Sequence, residues 1–276
     1  MTTAQKIIKY IANAFAIFLI VTIIFSILSA GYGILIAVGV INKQENKISE
    51  NLITISDNID EISTLKLDIK ASDLQIKNGK KFEVKTNNSN IKYSNENGKV
   101  SVKEEGMFKW HLGKNYEGTV IIYLPEDMEQ IEEVKMDIGA GTIFIENLKT
   151  KNLYFELGAG NVTVDSMTVS KKMRLNGGAG NIEINSGKIA NADVDLGVGK
   201  TTIKSDFTGN SKIDTGIGEL NLDLTLPKED YKINVNKGIG EIRFNGKSIE
   251  DDTSLGNGNN YIKVSGGVGG INIKTE

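Results

Sequence analysis

The stretch Met136-Asp137-Ile138-Gly139-Ala140-Gly141-Thr142-Ile143-Phe144-Ile145 contains the motif that decides the fold, a small apolar residue between two glycines. This Gly-x-Gly motif occurs seven times after residue 138, and the intervals between first glycines are 19, 20, 19, 19, 22 and 29 residues. A period of this length indicates a repeat architecture. The paired glycines are Gly139 and Gly141, Gly158 and Gly160, Gly178 and Gly180, Gly197 and Gly199, Gly216 and Gly218, Gly238 and Gly240, and Gly267 and Gly269.

Alternating apolar residues flank every Gly-x-Gly motif. In the first copy, Ile143 and Ile145 are the second and fourth residues after the motif, and Met136 is the third residue before it. Alternation with a period of two, rich in β-branched residues, predicts strands with one buried face. Each period therefore holds two short strands and a polar turn, with no segment long enough for a helical crossover.

Because equivalent residues recur once per period, the pattern predicts an all-β fold, a single-stranded parallel β-solenoid that is β-helix-like, with one coil per period. The glycines are expected to form the corners of the coils, since glycine tolerates positive φ. The apolar middle residue is expected to plug each corner. The alternative is an antiparallel β-sandwich or meander, in which the Gly-x-Gly motifs would be hairpin turns.

The solenoid domain is predicted to cover residues 65–276, with an irregular first part (65–133) and regular repeats (134–276). A degenerate first coil opens it, because Leu65 and Leu67 precede Lys70-Ala71-Ser72 with the usual spacing and Leu74 follows at the expected offset. The rest of the irregular part is expected to cap or broaden the stack, since solenoid ends need protection from edge pairing.

The amino-terminal region is strongly apolar. From Tyr10 to Asn42 there is no charged residue in 33 positions, whereas a membrane-spanning helix needs about 20 apolar residues. Residues 10–42 are therefore predicted to be one transmembrane helix. A cleaved signal peptide is the alternative, but its apolar region is normally about 7–15 residues, and Leu28-Ser29-Ala30 lacks the usual small residue at the first position of a cleavage site.

This anchor makes the chain a predicted single-pass protein of the cell membrane. Residues 1–9 are placed in the cytoplasm, residues 43–64 form a stalk or linker, and the solenoid domain is extracytoplasmic. The lysines on the two sides of the span are nearly balanced, so the positive-inside rule decides little. The orientation depends instead on the all-β domain with Asn-rich turns, which suits the outside of a cell.

Composition limits the possible chemistry. The chain has 32 basic and 35 acidic residues, a net charge of −3, so no basic field for nucleic acid is expected. It has no cysteine, and His111 is the only histidine, which excludes a His/Cys metal cluster and a cysteine nucleophile. No cofactor is predicted.

The segment Gly197-Val198-Gly199-Lys200-Thr201-Thr202 ends like a phosphate-binding P-loop. That motif requires a glycine five residues before Gly199, where this chain has Val194, and a helix after the lysine. Thr201 instead continues a strand pattern. No nucleotide binding is therefore predicted.

An acidic column is the weak candidate for a metal site. Acidic residues stand two positions before several motifs, and stacked coils would place them about 5 Å apart. Such a ladder would bind calcium or cationic polymers, and the alternative is a plain solvated face. We call this set the acidic ladder: Asp68, Asp137, Glu156, Asp195 and Asp214, interrupted by Asn176 and ending in Asn236 and Ser265.

Three segments resemble a known family: Leu65-Lys66-Leu67-Asp68-Ile69, Val120-Ile121-Ile122-Tyr123-Leu124-Pro125, and the series that begins at Met136-Asp137-Ile138-Gly139-Ala140-Gly141. The chain is similar, over roughly residues 50–275, to the "putative adhesin" domain of unknown function, also called Toastrack-like, of LiaG-type bacterial envelope proteins. The resemblance implies a membrane-tethered β-solenoid in a bacterial envelope, sometimes linked to sensing of envelope stress. It implies no catalytic residues.

We therefore expect a non-enzymatic, membrane-anchored envelope protein, whose solenoid interacts with proteins or cell-wall polymers in adhesion or envelope-stress sensing. A polysaccharide-active β-helix enzyme is the alternative, but such enzymes need convergent acids with Arg or Lys in a cleft. The only arginines are Arg174 and Arg243, in separate coils. Self-assembly into a homo-oligomer through the coil edges is a third hypothesis.

Overall fold

The computed structural model describes residues 52–57, 59, 61–106, 118–236 and 238–276. The predicted cytoplasmic segment, the predicted span 10–42, the start of the stalk, and His111 lie outside these residues. Within them, no helix is long and apolar enough to cross a membrane. The strands are β1 (Ile53–Thr54), β2 (Thr64–Ile69), β3 (Asp73–Gly79), β4 (Glu83–Thr86), β5 (Ile91–Glu96), β6 (Lys99–Glu104), β7 (Thr119–Pro125), β8 (Ile131–Ile184), β9 (Gly187–Ala190), β10 (Ala192–Thr208), β11 (Asn210–Leu224), β12 (Tyr231–Asn236), β13 (Ile242–Phe244), β14 (Lys247–Ile249), β15 (Thr253–Leu255), β16 (Asn260–Ser265) and β17 (Val268–Thr275).

Successive periods pair side by side and in parallel. Val194 of β10 lies opposite Leu175 of β8 on one side and Ile213 of β11 on the other. Each residue thus meets its equivalent one period away, which is the pairing that the β-solenoid hypothesis requires. Strands β8, β10 and β11 run through their Gly-x-Gly motifs, so these motifs are bends within strands and not hairpin turns.

The residues that follow the motifs build the apolar interior. Ile143, Ile182 and Leu220 are all less than 5% exposed, and the parallel register stacks such equivalents in columns. Burying one such side chain contributes about 1.5–3 kcal/mol. Because no single period can bury its own apolar face, the layers stabilise one another.

The degenerate first coil lies in register with the first regular period. Leu65 is opposite Val134, and Leu74 is opposite Ile143, so the predicted alignment is confirmed. Its corner differs, since none of the described residues forms a strand outside it between the end of β6 and the start of β7. The buried carboxylate of Glu104 fills this gap and accepts hydrogen bonds from the backbone N–H groups of Lys70 at 2.8 Å and Ala71 at 2.9 Å.

The last layers are not stacked in chain order. Gly218 of β11 lies opposite Gly269 of β17, in the seventh motif, and Ile242 of β13 pairs with Ile271 on the other side of β17. The seventh motif is therefore inserted between the fifth and the sixth, and the expectation of purely sequential coils is wrong here. The 29-residue interval makes this possible because it contains β14 and β15, which pair antiparallel with β13 and β12 before the chain turns back.

The amino-terminal end of the stack is built in a related way. Strands β6 and β7 pair in parallel with β2 and β3, and β4 and β5 pair antiparallel with β7 and β6. Strand β1 adds two residues, antiparallel, to β4. Antiparallel strands thus cover the parallel layers at both ends, which protects the sheet edges from pairing with other chains.

Close approach of the layers explains why each motif needs two glycines. A Cβ on Gly199 would lie 1.7 Å from the carbonyl oxygen of Gly180, and a Cβ on Gly197 would lie 2.0 Å from that of Gly178. The second glycine of each motif also has positive φ, between 139° and 153°. Any side chain at these positions would push adjacent layers apart.

Candidate interaction surface

The parallel register brings the acidic ladder together. Asp68 lies opposite Asp137, and Asp195 lies opposite Asp214. Glu156 follows one period after Asp137 on β8. The amide of Asn176 and the hydroxyl of Ser265 occupy two further positions of the column, so neutral residues interrupt the carboxylates.

Neighbouring lysines partly neutralise the ladder. Lys212 hydrogen-bonds the carboxylate of Asp214, and the Lys103 Nζ lies 3.7 Å from Asp68 Oδ2. Partial burial raises the pKa of Asp214, but hydrogen bonds from Lys212 and Ser265 outweigh it and hold the pKa below its usual value. In the described residues, no three His, Asp or Glu side chains converge on one point as a metal site requires.

Further ion pairs cross the layers on the outward faces. Glu132 accepts hydrogen bonds from Lys151 at 2.5 Å and from Lys171 at 3.1 Å, one and two periods away. The Lys151 bond is the main cause of the lowered pKa of Glu132. Arg174 binds Asp193 of the next layer at 3.0 Å. The outward surface therefore carries charges of both signs in repeating columns.

Lys200 is on β10 and is exposed to solvent. Its Nζ lies 3.7 Å from Glu219 Oε2, and its backbone N–H donates a hydrogen bond to Asn181 Oδ1 at 3.2 Å. The strand continues beyond Lys200 to Thr208. A P-loop needs free backbone N–H groups and a following helix, and this segment offers neither.

The middle residues of the motifs point outward, so the expectation that they plug the corners is wrong. Val198 is 40% exposed, Val268 44% and Ile239 74%. In the first two periods the residue before the first glycine fills the corner instead, since Ile138 is 1% and Leu157 5% exposed. Sequence reasoning placed the apolar contact two residues too late.

The third period lacks this filling residue, because it has Gly177 at that position. A shallow recess, open to solvent, lies beside it. Leu157, Ile182 and Leu196 form its apolar wall, and Glu219 is the one titratable side chain in its lining. A single carboxylate does not supply the acid and base pair that most hydrolytic or lyase chemistry requires.

Solved structures of similar architecture come from several bacteria. A "putative cell adhesion protein" from Clostridium sporogenes is 20% identical, with a TM-score of 0.38 and coverage of 82% of this chain and 98% of that one. A "putative adhesin" from Bacteroides fragilis is 14% identical, with a TM-score of 0.42 and coverage of 83% and 98%. A "putative lipid binding protein" from Parabacteroides distasonis is 12% identical, with a TM-score of 0.35 and coverage of 81% and 97%.

No curated protein is significantly similar to this chain in sequence. The family model described as Toastrack DUF4097 matches residues 56–264. The match begins before β2 and ends within β16, and thus takes in the irregular first part and the first six Gly-x-Gly motifs. Since this is well over half of the chain, the protein belongs to the Toastrack DUF4097 family.

Proposed function

We propose that the chain is a membrane-anchored, non-enzymatic protein of the bacterial cell envelope. Its extracytoplasmic β-solenoid binds envelope proteins or wall polymers, in adhesion or in sensing of envelope stress. The observation that carries the proposal is the outward surface of the parallel layers, on which charged residues such as Asp137 and Glu156 repeat at strand spacing, about 4.8 Å. A repeating surface of this kind fits an extended partner.

The distribution of titratable side chains in the described part of the chain supports a binding role. Within the described residues, the recess beside Gly177 holds one titratable side chain, Glu219, and the acidic ladder is spread along the stack. Binding functions of solenoids commonly use such broad surfaces. The uncharged stretch 10–42 supports the anchor.

Protease treatment of intact cells that produce the full chain tests the location. An extracytoplasmic domain is digested from the outside while a cytoplasmic marker protein survives. Survival of residues 43–276 in intact cells, with digestion after lysis, would overturn the proposed orientation.

Binding is tested with the full chain in detergent, mixed with isolated cell walls, and by chemical crosslinking in intact cells. Replacing the exposed pair Asp137→Asn and Glu156→Gln should weaken capture of the partner at least threefold if the ladder contributes. Glu183→Gln, an exposed change outside the ladder, is the matched control. Turnover of wall polysaccharides by the purified chain would contradict the non-enzymatic assignment.

A further inference from the structure

The middle residues of the seven motifs form a continuous apolar line on the outside of the domain, which we call the aliphatic ridge. Of the four large hydrophobic side chains that are exposed in the described part of the chain, three belong to it, Val198, Val268 and Ile239. Contiguous exposed apolar side chains on a protein surface mark a candidate contact site for a partner. In layer order the ridge consists of Ala140, Ala159, Ala179, Val198, Ile217, Val268 and Ile239.

The strand register makes the ridge continuous. Val198 lies opposite Ala179 and Ile217, Ile217 lies opposite Val268, and Ile239 bridges to Val268. At about 4.8 Å per layer, the seven positions extend over roughly 29 Å. The exchanged order of the last two layers puts Val268, and not Ile239, next to Ile217.

Side-chain size increases along the ridge from three alanines to valine and isoleucine. We propose that the ridge is the contact surface for a second copy of this chain, packed face to face with its layers running in the opposite direction. Val198 then meets Val198 of the second copy at the twofold axis. Each alanine meets a large residue, so that Ala179 faces Ile217, Ala159 faces Val268, and Ala140 faces Ile239. Alternation of small and large side chains across the contact lets the two ridges interdigitate.

Charges beside the centre of the ridge fit the same arrangement. Lys200 follows the fourth motif, at the level of the twofold axis, and Glu219 follows the fifth motif, one layer away. Within one chain Lys200 Nζ is 3.7 Å from Glu219 Oε2. The twofold axis places the second copy's glutamate one layer away on the other side of Lys200. Lys200 of the second copy faces Lys200 across the axis, and each lysine lies between two carboxylates, one from each chain, which offset the repulsion between the two lysines.

A lipid surface fits the ridge less well. Surface-binding segments place Lys and Arg beside their apolar residues, whereas the residues that follow the last four motifs in layer order are Lys200, Glu219, Gly270 and Glu241. A bilayer does not account for the increase in side-chain size along the ridge, whereas packing against a second ridge does. A second copy is therefore the partner that these observations favour.

The contact area indicates a weak dimer. A strip about 29 Å long and about 10 Å wide covers about 300 Å² per copy, less than the roughly 800 Å² per partner of a stable complex. Such a contact forms mainly when copies are held near one another. Anchoring in one membrane would raise the effective concentration enough to favour it.

Disulfide crosslinking tests the register directly because the chain contains no cysteine. The full chain with the single change Val198→Cys is reconstituted in phospholipid vesicles, so that its copies share one membrane, and is oxidised mildly with copper–phenanthroline. Two cysteines crosslink only when their Cβ atoms come within about 4.5 Å. Val198→Cys should give at least tenfold more disulfide dimer than Lys188→Cys, a control at an exposed position off the ridge.

Mixed variants separate this arrangement from its alternatives. Ala159→Cys and Val268→Cys should each crosslink poorly alone, and should crosslink to each other when the two proteins are mixed. Strong self-crosslinking of Ala159→Cys would indicate parallel packing and overturn the proposal. Crosslinking of Val198→Cys no greater than that of Lys188→Cys would also overturn it, and would leave lipid or another protein as the ridge's occupant.

Discussion

Ser72 donates two hydrogen bonds to the buried carboxylate of Glu104, one from its backbone N–H to Oε2 at 3.2 Å and one from its hydroxyl to Oε1 at 3.0 Å. Asn88 Nδ2 donates a further bond to Oε1 at 2.8 Å. Glu104 is 5% exposed. This one side chain thus accepts the backbone hydrogen bonds that a neighbouring strand would otherwise accept at the corner of the first coil.

Removing the carboxylate should therefore destabilise the amino-terminal layers. Glu104→Ala leaves three consecutive backbone N–H groups without their acceptor, and hydrogen bonds to charged groups contribute about 1.5–3 kcal/mol each. We expect the free energy of unfolding to fall by about 3 kcal/mol or more in urea titrations of the full chain. Glu104→Gln keeps one acceptor oxygen and should cost about 1–2 kcal/mol.

The neighbouring Glu105 supplies the control for this prediction. It is exposed, so Glu105→Gln should change the unfolding midpoint very little. Equal losses of unfolding free energy in the Glu104→Gln and Glu105→Gln variants would show that the buried carboxylate of Glu104 does not stabilise the corner.

Glycine substitutions should separate the close layer contacts from ordinary glycine positions. Gly199→Ala puts a Cβ 1.7 Å from the Gly180 carbonyl oxygen at a φ of 146°. Backbone strain and overpacking each cost about 1–3 kcal/mol, so we expect a loss of about 3–5 kcal/mol or failure to fold. Gly270→Ala meets no atom within 4 Å and should leave the thermal midpoint nearly unchanged. A tolerated Gly199→Ala would contradict the close stacking.

The sequence was sufficient to predict the parallel pairing, because the same apolar spacing recurs in every period. The register of Leu74 with Ile143 follows from that spacing alone, although the first coil lacks glycines. The order of the last two layers could not be predicted, since the motifs of Gly238 and Gly267 are equivalent and either could pair with that of Gly216. Only the lengthened intervals of 22 and 29 residues indicate that the stacking changes there.

The candidate surface was predicted less completely. The acidic ladder follows from period-two alternation, so its register could be derived. The direction of Val198 could not, because the alternation of inward and outward side chains breaks down within the Gly-x-Gly motif. Glu104 has no periodic signal, and its role depends on a gap in the neighbouring layer that the sequence does not show.

Tyr231 should make stability fall at alkaline pH. Burial raises the pKa of its phenol above the ordinary value of 10.0, and hydrogen bonds from the N–H groups of Leu226 and Phe207, both at 3.4 Å, oppose this only in part. The pKa of the Tyr231 phenol is higher in the folded state than in the unfolded state. Its contribution to stability is therefore complete below about pH 10 and is lost as the pH rises through the folded-state pKa. Unfolding measured from pH 8 to 12 should show this decline.

Tyr231→Phe isolates this group from the other tyrosines. At pH 8 the variant should be less stable by about 1 kcal/mol, because two backbone N–H groups lose their acceptor. The difference in unfolding free energy between the two proteins should narrow and then reverse above pH 10, since phenylalanine has no proton to lose. A difference that stays constant across this range would exclude Tyr231 as the titrating group.

Deleting residues 260–276 tests the exchanged order of the carboxyl-terminal layers. In this fold the deletion removes β16 and β17 from between β11 and the pair β12 and β13, so β12 and β13 lose their parallel partners. Hydrogen exchange followed by mass spectrometry should find their amides exchanging roughly a hundredfold faster or more, about 3 kcal/mol of local stability. Removing only residues 274–276 is the control and should leave this region protected. In a stack built in chain order, β12 and β13 would still pair with β11, and their continued protection in the longer deletion would refute the inserted seventh motif.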